Sequence, residues 1–186
     1  EGQDEFKNYL STINRQIKDI ENLVNEFSSF ARMPAPIFKK ININKVLKRT
    51  IDFYKMSSVN DLIFKSPNKE IIINGDEDQL HRVFINLIKN SEDSISEKRL
   101  KTSDFKGKII IEIKVNNSYI SITLDDNGLG IKDTSIIMTP YFTTKKNGTG
   151  LGLPIVSKII NEHKGEIVLS NNNPGAKVLI NFKNIQ

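Results

Sequence analysis

Phe6, Leu10, Ile13, Ile17, Ile20, Val24, Phe27 and Ala31 follow one another in alternating steps of four and three residues, with no Gly or Pro between the first and the last. Such a seam commits this part of the chain to one helix, about 39 Å long at ~1.5 Å per residue, and a helix with one apolar stripe must lay it against something. Two partners are open. The helix could lie on this chain's own domain, or it could join another helix or subunit in a bundle or coiled coil. The length and the strict heptad step favour the second, because a surface helix is usually shorter and drifts toward a 3.6-residue period. The stretch Met33-Pro34-Ala35-Pro36 ends the helix, since proline lacks the N–H and pushes its predecessor out of the α region. The chain therefore divides into a helical segment, 1–34, and a domain, 35–186.

Beyond that break the apolar period alternates between helix and strand. "FKKINI" reads as a short strand, and "NKVLKRTIDFY" as a helix capped by Asn44 with Val46, Leu47, Ile51 and Tyr54 on one side. "DLIFK" and "EIIIN" are two strands separated by "SPNK" as a turn. A helix over 77–98 buries Leu80, Phe84, Leu87, Ile88 and Ile95, and "KIIIEIKV" and "YISITL" form a hairpin around "NNS". The pattern then stops. Residues 125–149 make a connection longer than the ~12–15 residues usual in a compact domain, which marks a functional loop. "GLPIVSKIINEHKG" is a further helix closed by Gly165 as C-cap, and "EIVLS" and "AKVLINF" are closing strands around "NNNPG". No internal repeat is visible.

Composition narrows the function classes. With 186 residues there is room for one well-buried core and an appendage, not for two full-sized domains. The net charge of +5 does not point to nucleic acid, because the lysines are dispersed among acids and form no dense basic cluster with interleaved aromatics. No apolar run approaches the ~18 residues of a membrane span, and the first ten residues do not resemble a signal peptide, so a soluble piece is expected. The absence of cysteine removes disulfides and thiolate metal sites and fits a reducing compartment.

Four short stretches carry candidate chemistry. In "NLIKN", Asn86 and Asn90 are four residues apart and share a helix face. An amide oxygen suits a magnesium ion that keeps most of its waters and takes other oxygens from phosphate; otherwise the two are solvated side chains in an Asn-rich chain. "DDNGLGI" sets Asp126 at the end of a strand ahead of Gly128 and Gly130. It is either an acceptor for an exocyclic amine such as that of adenine, with glycines that let the backbone pass close to the ring, or an Asp-Asn-Gly turn. In "PYFTTK", Phe142 can pin a loop and Lys145 can meet phosphate oxygens, or the pair is loop packing and a solvated lysine. "GTGLGL" puts Gly148, Gly150 and Gly152 directly before an apolar helical run, where main-chain N–H groups can approach an anion at the positive end of a helix. It is not a P-loop, since the Lys-Ser/Thr is missing, and not a dinucleotide fingerprint, since a polar loop rather than a strand precedes it.

Taken in this order, the four stretches resemble the N, G1, F and G2 boxes of sensor histidine kinases, members of the ATPase superfamily that also holds gyrase, the mismatch-repair clamp protein and a heat-shock chaperone. The likeness covers 40–186. Upstream, "IKDIENLVNEFSSFARMPAPIF" is similar to the second dimerisation helix of nitrogen-regulation-type membrane sensor kinases. The resemblance implies an α+β fold, a two-layer α/β sandwich with a mixed sheet covered on one face by helices and preceded by one long helix. It implies ATP and Mg2+: Asn90 on the magnesium, Asn86 against the phosphates and Asp126 on the adenine amine, with Gly128 and Gly130 shaping the base pocket. Lys145, Gly148, Thr149, Gly150, Leu151 and Gly152 would gather the triphosphate under a lid over 127–149 pinned by Phe142. Asn86, Asn90 and Lys145 are then the catalytic set. It further implies transfer of the γ-phosphoryl to a histidine of a first dimerisation helix and on to a response regulator receiver domain. A homodimer in the full-length protein, a cytoplasmic site of action and an anchor in the inner membrane complete the expectation.

The chain departs from that pattern in places. Ser91 and Ser94 stand where small alanines are usual, and Ala176 follows Gly175 where threonine is usual. Of the two histidines, His81 and His163, neither sits beside an acid as a phospho-acceptor does, and His163 near a helix end would suit a partly positive ring. ATP binding without self-phosphorylation is therefore expected. Two rivals stay open. A clamp-type ATPase or serine kinase usually carries a glutamate one turn before the magnesium asparagine, where this chain has Asn86. A non-catalytic helical interaction module would keep only a vestigial nucleotide site.

Overall fold

The computed structural model describes residues 2–184 apart from 103, 135, 144, 146 and 147, with the backbone alone described for 2–4, 19, 22, 26, 29 and 30. Helix α1, Gly2–Ala31, runs as one piece through the whole heptad seam. Phe6, Leu10, Ile13, Ile17, Ile20, Val24 and Phe27 are each at least 44% exposed, so the seam does not lie on this chain's own domain.

The prolines that end α1 lead into a strap seated on the domain. Met33 packs at the edge of the core, the Pro34 carbonyl accepts from Gln79 Nε2 at 3.0 Å, and the Ile37 N–H donates to Asp76 Oδ2 at 2.8 Å. Phe38 lies on the His163 ring with centroids 5.1 Å apart.

Among the described residues the domain has two sheets and three helices. Strand β1, Lys39–Asn42, pairs antiparallel with β3, Ile72–Gly75. The main sheet orders β2 (Asp61–Lys65), β4 (Lys108–Val115), β5 (Tyr119–Asp126), β7 (Ala176–Lys183) and β6 (Glu166–Asn171) as β2-β4-β5-β7-β6, with only β2 and β4 parallel. Alternate residues of the central strands, such as Ile109, Ile111, Ile122, Leu124 and Ile180, are buried while their neighbours are not, so one face of the sheet is covered. Helices α2 (Ile43–Lys55), α3 (Glu77–Arg99) and α4 (Gly152–Glu162) supply the other half of that core through Leu47, Ile51, Phe84, Ile88, Ile155 and Ile159. This is the expected two-layer α/β sandwich behind one long helix.

Local details differ from the sequence reading in two places. Asn42, not Asn44, caps α2: its backbone is extended, as the cap position needs, and its side chain accepts from Asn44 N at 3.1 Å. Asn44 instead donates to the Lys69 carbonyl at 2.8 Å and accepts from Ser66 Oγ at 2.6 Å, which fixes the 66–69 turn against α2. As expected, that turn separates two strands, and it carries the chain from one sheet to the other, since β2 pairs with β4 and β3 with β1. Gly165 is not the left-handed residue that ends α4. Lys164 takes φ 55°, and the Gly165 N–H reaches back to Ile160 O at 2.9 Å. Glycine is required at 165 because a Cβ there would meet Phe182 Cε1 at 2.9 Å.

The imidazole of His163 is buried and held at both nitrogens: the Asp76 N–H donates to Nε2 at 2.9 Å, and Nδ1 lies 2.8 Å from Ile159 O. His81 is also held in the structure, with Nδ1 2.7 Å from Thr50 Oγ1. Burial and then the Arg49 charge lower its pKa, outweighing Asp78 and Glu77.

Candidate functional site

Helix α3 is the spine of the site. Its N-cap Asp76 accepts from Asp78 N and Gln79 N at 3.1 Å each, its first turn carries Glu77 and Asp78 and its last turn Lys98 and Arg99, so cap and charge both stabilise it. Leu87 and Ile88 anchor it in the core, which leaves Asn86 and Asn90 half-buried at the rim. Asn86 Nδ2 is tied to Arg82 O at 2.9 Å, and a Cβ on Gly152 would lie 3.2 Å from Asn86 Oδ1, so that amide oxygen faces the start of α4. Asn90 Oδ1 accepts from Lys145 Nζ at 3.0 Å, and the same ammonium pairs with Asp93 Oδ2 at 2.7 Å.

At Ser91, the residue after Asn90 on α3, lies Asp126, buried at the end of β5. Ser91 Oγ donates to its Oδ2 at 2.8 Å, while Gly128 N and Ala176 N reach Oδ1 at 2.9 and 3.3 Å. The loop after Asp126 is pinned on both sides. Ser94 Oγ accepts from Leu129 N at 2.9 Å, and Lys98 Nζ donates to the carbonyls of Asn127 and Gly128 at 2.7 and 3.0 Å. Across from α3, Asn171 accepts from Ile131 N at 2.6 Å and donates to Ile131 O at 2.8 Å. Gly130 holds φ 77° beside Asn171, and Gly175 holds φ 102° with its Cα directly against the Asp126 carbonyl, where a Cβ would collide.

The glycine-rich stretch closes the other end. Gly150, at φ 70°, lies against the backbone of Tyr141 and Phe142, where a Cβ would be 2.5 Å from the Tyr141 carbonyl carbon, and Gly150 O accepts from Tyr141 N at 3.1 Å. Phe142 is half-buried, and its N–H is bonded to Thr139 O at 3.2 Å. Gly148 N is 3.3 Å from Lys145 O, and Thr149 Oγ1 faces Leu151 N at 3.4 Å. Leu151 is buried as N-cap of α4, and with leucine there no side chain caps the helix. Pro154 sits in the first turn, where a missing N–H costs nothing. The N-terminus of α4 therefore presents its positive end toward Asn86 with no side-chain cap among the described residues.

Asn86, Asn90, Asp126, Gly128, Lys145 and Gly152 thus all make contact along α3, and the remaining sequence candidates, Gly130, Phe142, Gly148, Thr149, Gly150 and Leu151, build the loops that bring them there. Of the lid expected over 127–149, residues 135, 144, 146 and 147 lie outside the described residues. The structure adds Ser91, Ser94, Lys98, Asn171 and Gly175, which orient Asp126 and the loop after it. Ser91 and Ser94 had a signal in the sequence, as hydroxyls among small residues, but partners 35 residues away carry none. Among the described residues no three His, Cys, Asp or Glu side chains gather to hold a metal by themselves, so a metal here needs oxygens from its ligand.

Comparison with known proteins agrees. The NtrY-like sensor histidine kinase of Rickettsia conorii is 38% identical over 184 residues, covering 96% of this chain and 29% of that protein. Sporulation kinase C of Bacillus subtilis is 32% identical over 171 residues, covering 89% of this chain and 38% of that protein. The chain therefore spans well under half the length of either relative. The solved catalytic domain of histidine kinase ThkA superimposes with a TM-score of 0.68 at 26% identity, covering 79% of this chain and 97% of that one. ThkA solved with the response regulator TrrA gives 0.73 at 21% identity, over 94% and 50% of the two chains. Residues 75–185 match the family of histidine kinase-, DNA gyrase B- and HSP90-like ATPases. Since that match takes in α3, both glycine segments and α4, the chain belongs to this family, as the catalytic ATP-binding domain of a two-component sensor histidine kinase.

Proposed function

We propose that the cleft along α3 binds ATP with magnesium, and that the whole protein passes the γ-phosphoryl group to a histidine on a first dimerisation helix and then to a response regulator receiver domain. The observation that carries this reading is the row of contacts along α3, where Asn86 Oδ1 faces the start of α4, Asn90 meets Lys145 and Ser91 holds Asp126. The donor set fits both ligands. Asn90 Oδ1 and Asp93 Oδ2 already hold a cation, the Lys145 ammonium, and Gly152 lets backbone N–H groups come close to an anion. ShkA, a protein of this fold at 17% identity, was solved with AMPPNP.

Roles follow from position. Asp126 accepts the amine of the base, and Gly128 and Gly130 let the backbone pass beside the ring. Asn90 is the magnesium ligand, Asn86 lies against the phosphates, and Gly148, Thr149, Gly150, Leu151 and Gly152 carry N–H donors to the triphosphate at the head of α4, with Phe142 pinning the lid. Bound magnesium supplies neutralisation of phosphate charge. Asn90 Oδ1 serves either a metal or the Lys145 ammonium, because like charges repel, so nucleotide loading turns Lys145 away from α3. Released, Lys145 is the mobile cation available to phosphate oxygens.

The accepting histidine is supplied by another segment, since His163 is buried and His81 is bonded to Thr50. This chain is expected to bind ATP without labelling itself, and to label a separately made helix pair bearing that histidine, in a full-length homodimer anchored at the inner membrane and acting in the cytoplasm. Calorimetry tests the core of the reading. Magnesium-dependent heat with ATP is expected from the native chain and none from Asn90→Ala. An absence of heat from the native chain would leave a helical interaction module with a vestigial site, and brisk ATP turnover would favour a clamp-type ATPase instead.

A further inference from the structure

We propose that Ser91 is a positioning residue that makes Asp126 read position 6 of a purine, so that preference for a 6-amino over a 6-oxo base in this chain depends on one serine hydroxyl of α3. The inference rests on the nucleotide reading above.

Ser91 is 3% exposed and Asp126 7%, so their bond is shielded from water. A serine inside a helix commonly turns its hydroxyl back to the carbonyl one turn earlier. Here the one hydroxyl proton goes instead to Asp126 Oδ2 at 2.8 Å. A carboxylate has about four acceptor positions, two on each oxygen. Gly128 N and Ala176 N occupy both positions on Oδ1, at 2.9 and 3.3 Å, and Ser91 occupies one on Oδ2. The position left for a ligand N–H is therefore on Oδ2, the oxygen that Ser91 orients. A 6-amino purine offers a donor there; a 6-oxo purine offers an acceptor, which sets two acceptors face to face.

The same face of α3 keeps the rest of the loop in register. Ser94, three residues on, takes the Leu129 N–H, and Lys98, seven residues on, takes the carbonyls of Asn127 and Gly128. Among the described residues the Ser94 hydroxyl is bonded to the Leu129 N–H and not to Asp126, so it shapes the pocket without bonding the oxygen that reads the base. This difference separates base reading from general support.

Calorimetry with magnesium ATP and magnesium inosine triphosphate, which differ at position 6, tests the assignment, with the unfolding midpoint of each variant as a folding control. The native chain is expected to bind ATP more tightly than inosine triphosphate. Ser91→Ala is expected to lower ATP affinity about tenfold, the order of one hydrogen bond to a charged group, while inosine triphosphate changes little. Ser91→Thr, which keeps the hydroxyl, restores the ratio, and Ser94→Ala weakens both nucleotides alike. Equal losses for both nucleotides in Ser91→Ala, or no loss, would overturn the proposal. A native chain that binds both equally would sink it while sparing the nucleotide reading, and one that binds neither would sink both.

Discussion

At the level of single residues, charge is handled by a few side chains that are either locked or exchangeable. Lys145 is exchangeable: it bridges Asn90 and Asp93 through one ammonium. Replacing it by alanine removes the cation that would meet the phosphates, so Lys145→Ala should weaken ATP about tenfold in titration calorimetry, the order of one charge-assisted hydrogen bond. Asp76 is locked. Burial pushes its pKa up, but the N–H groups of Ile37, Gln79 and Asp78, with His163 beside it, bring it below the usual aspartate range. A lowered folded pKa gives stability that is complete above about 3.9, the unfolded value, and is lost as pH falls through the folded one. Thermal melts of the native chain and Asp76→Asn should therefore differ at neutral pH and converge below about pH 4.

Elements were legible where local pattern decides them and opaque where a distant partner does. The periods of α1, α3, β4, β5, β6 and β7 follow from their apolar spacing, and the glycines of 148–152 announce a strained approach before any partner is known. Asn42 was hidden because two asparagines two residues apart offer the same chemistry, and only the extended end of β1 selects the first as cap. Lys164 was hidden because a lysine at positive φ has no sequence signature, and the neighbouring glycine is explained by Phe182. Gly175 marks the junction of β5 with β7. Its φ of 102° and the Asp126 carbonyl against it leave no place for a side chain. Gly175→Ala should distort the base-side loop and abolish ATP binding in calorimetry, with a loss of stability on the order of 1–3 kcal/mol from the backbone alone. Gly165→Ala, remote from the cleft, should lower the melting temperature with ATP affinity unchanged.

For the molecule as a whole, the rod and the domain share no core among the described residues. Ile13 and Ile17 are exposed, whereas Leu87 is buried among the helices. Ile13→Glu with Ile17→Glu should leave the melting midpoint of the domain where it is and abolish any concentration-dependent association seen by analytical ultracentrifugation. Leu87→Ala should cost about 2–5 kcal/mol in denaturant unfolding. The strap over Met33, Pro34, Ile37 and Phe38 then acquires a meaning beyond stability. It clasps Gln79 and Asp76 at the head of α3 and His163 at the tail of α4, and seven or more residues along, these two helices carry Asn86 and Gly152. The strap therefore fastens the end of the rod to the first turn of α3 and to the residue that caps α4, so a turn of the rod would be felt by both helices at once.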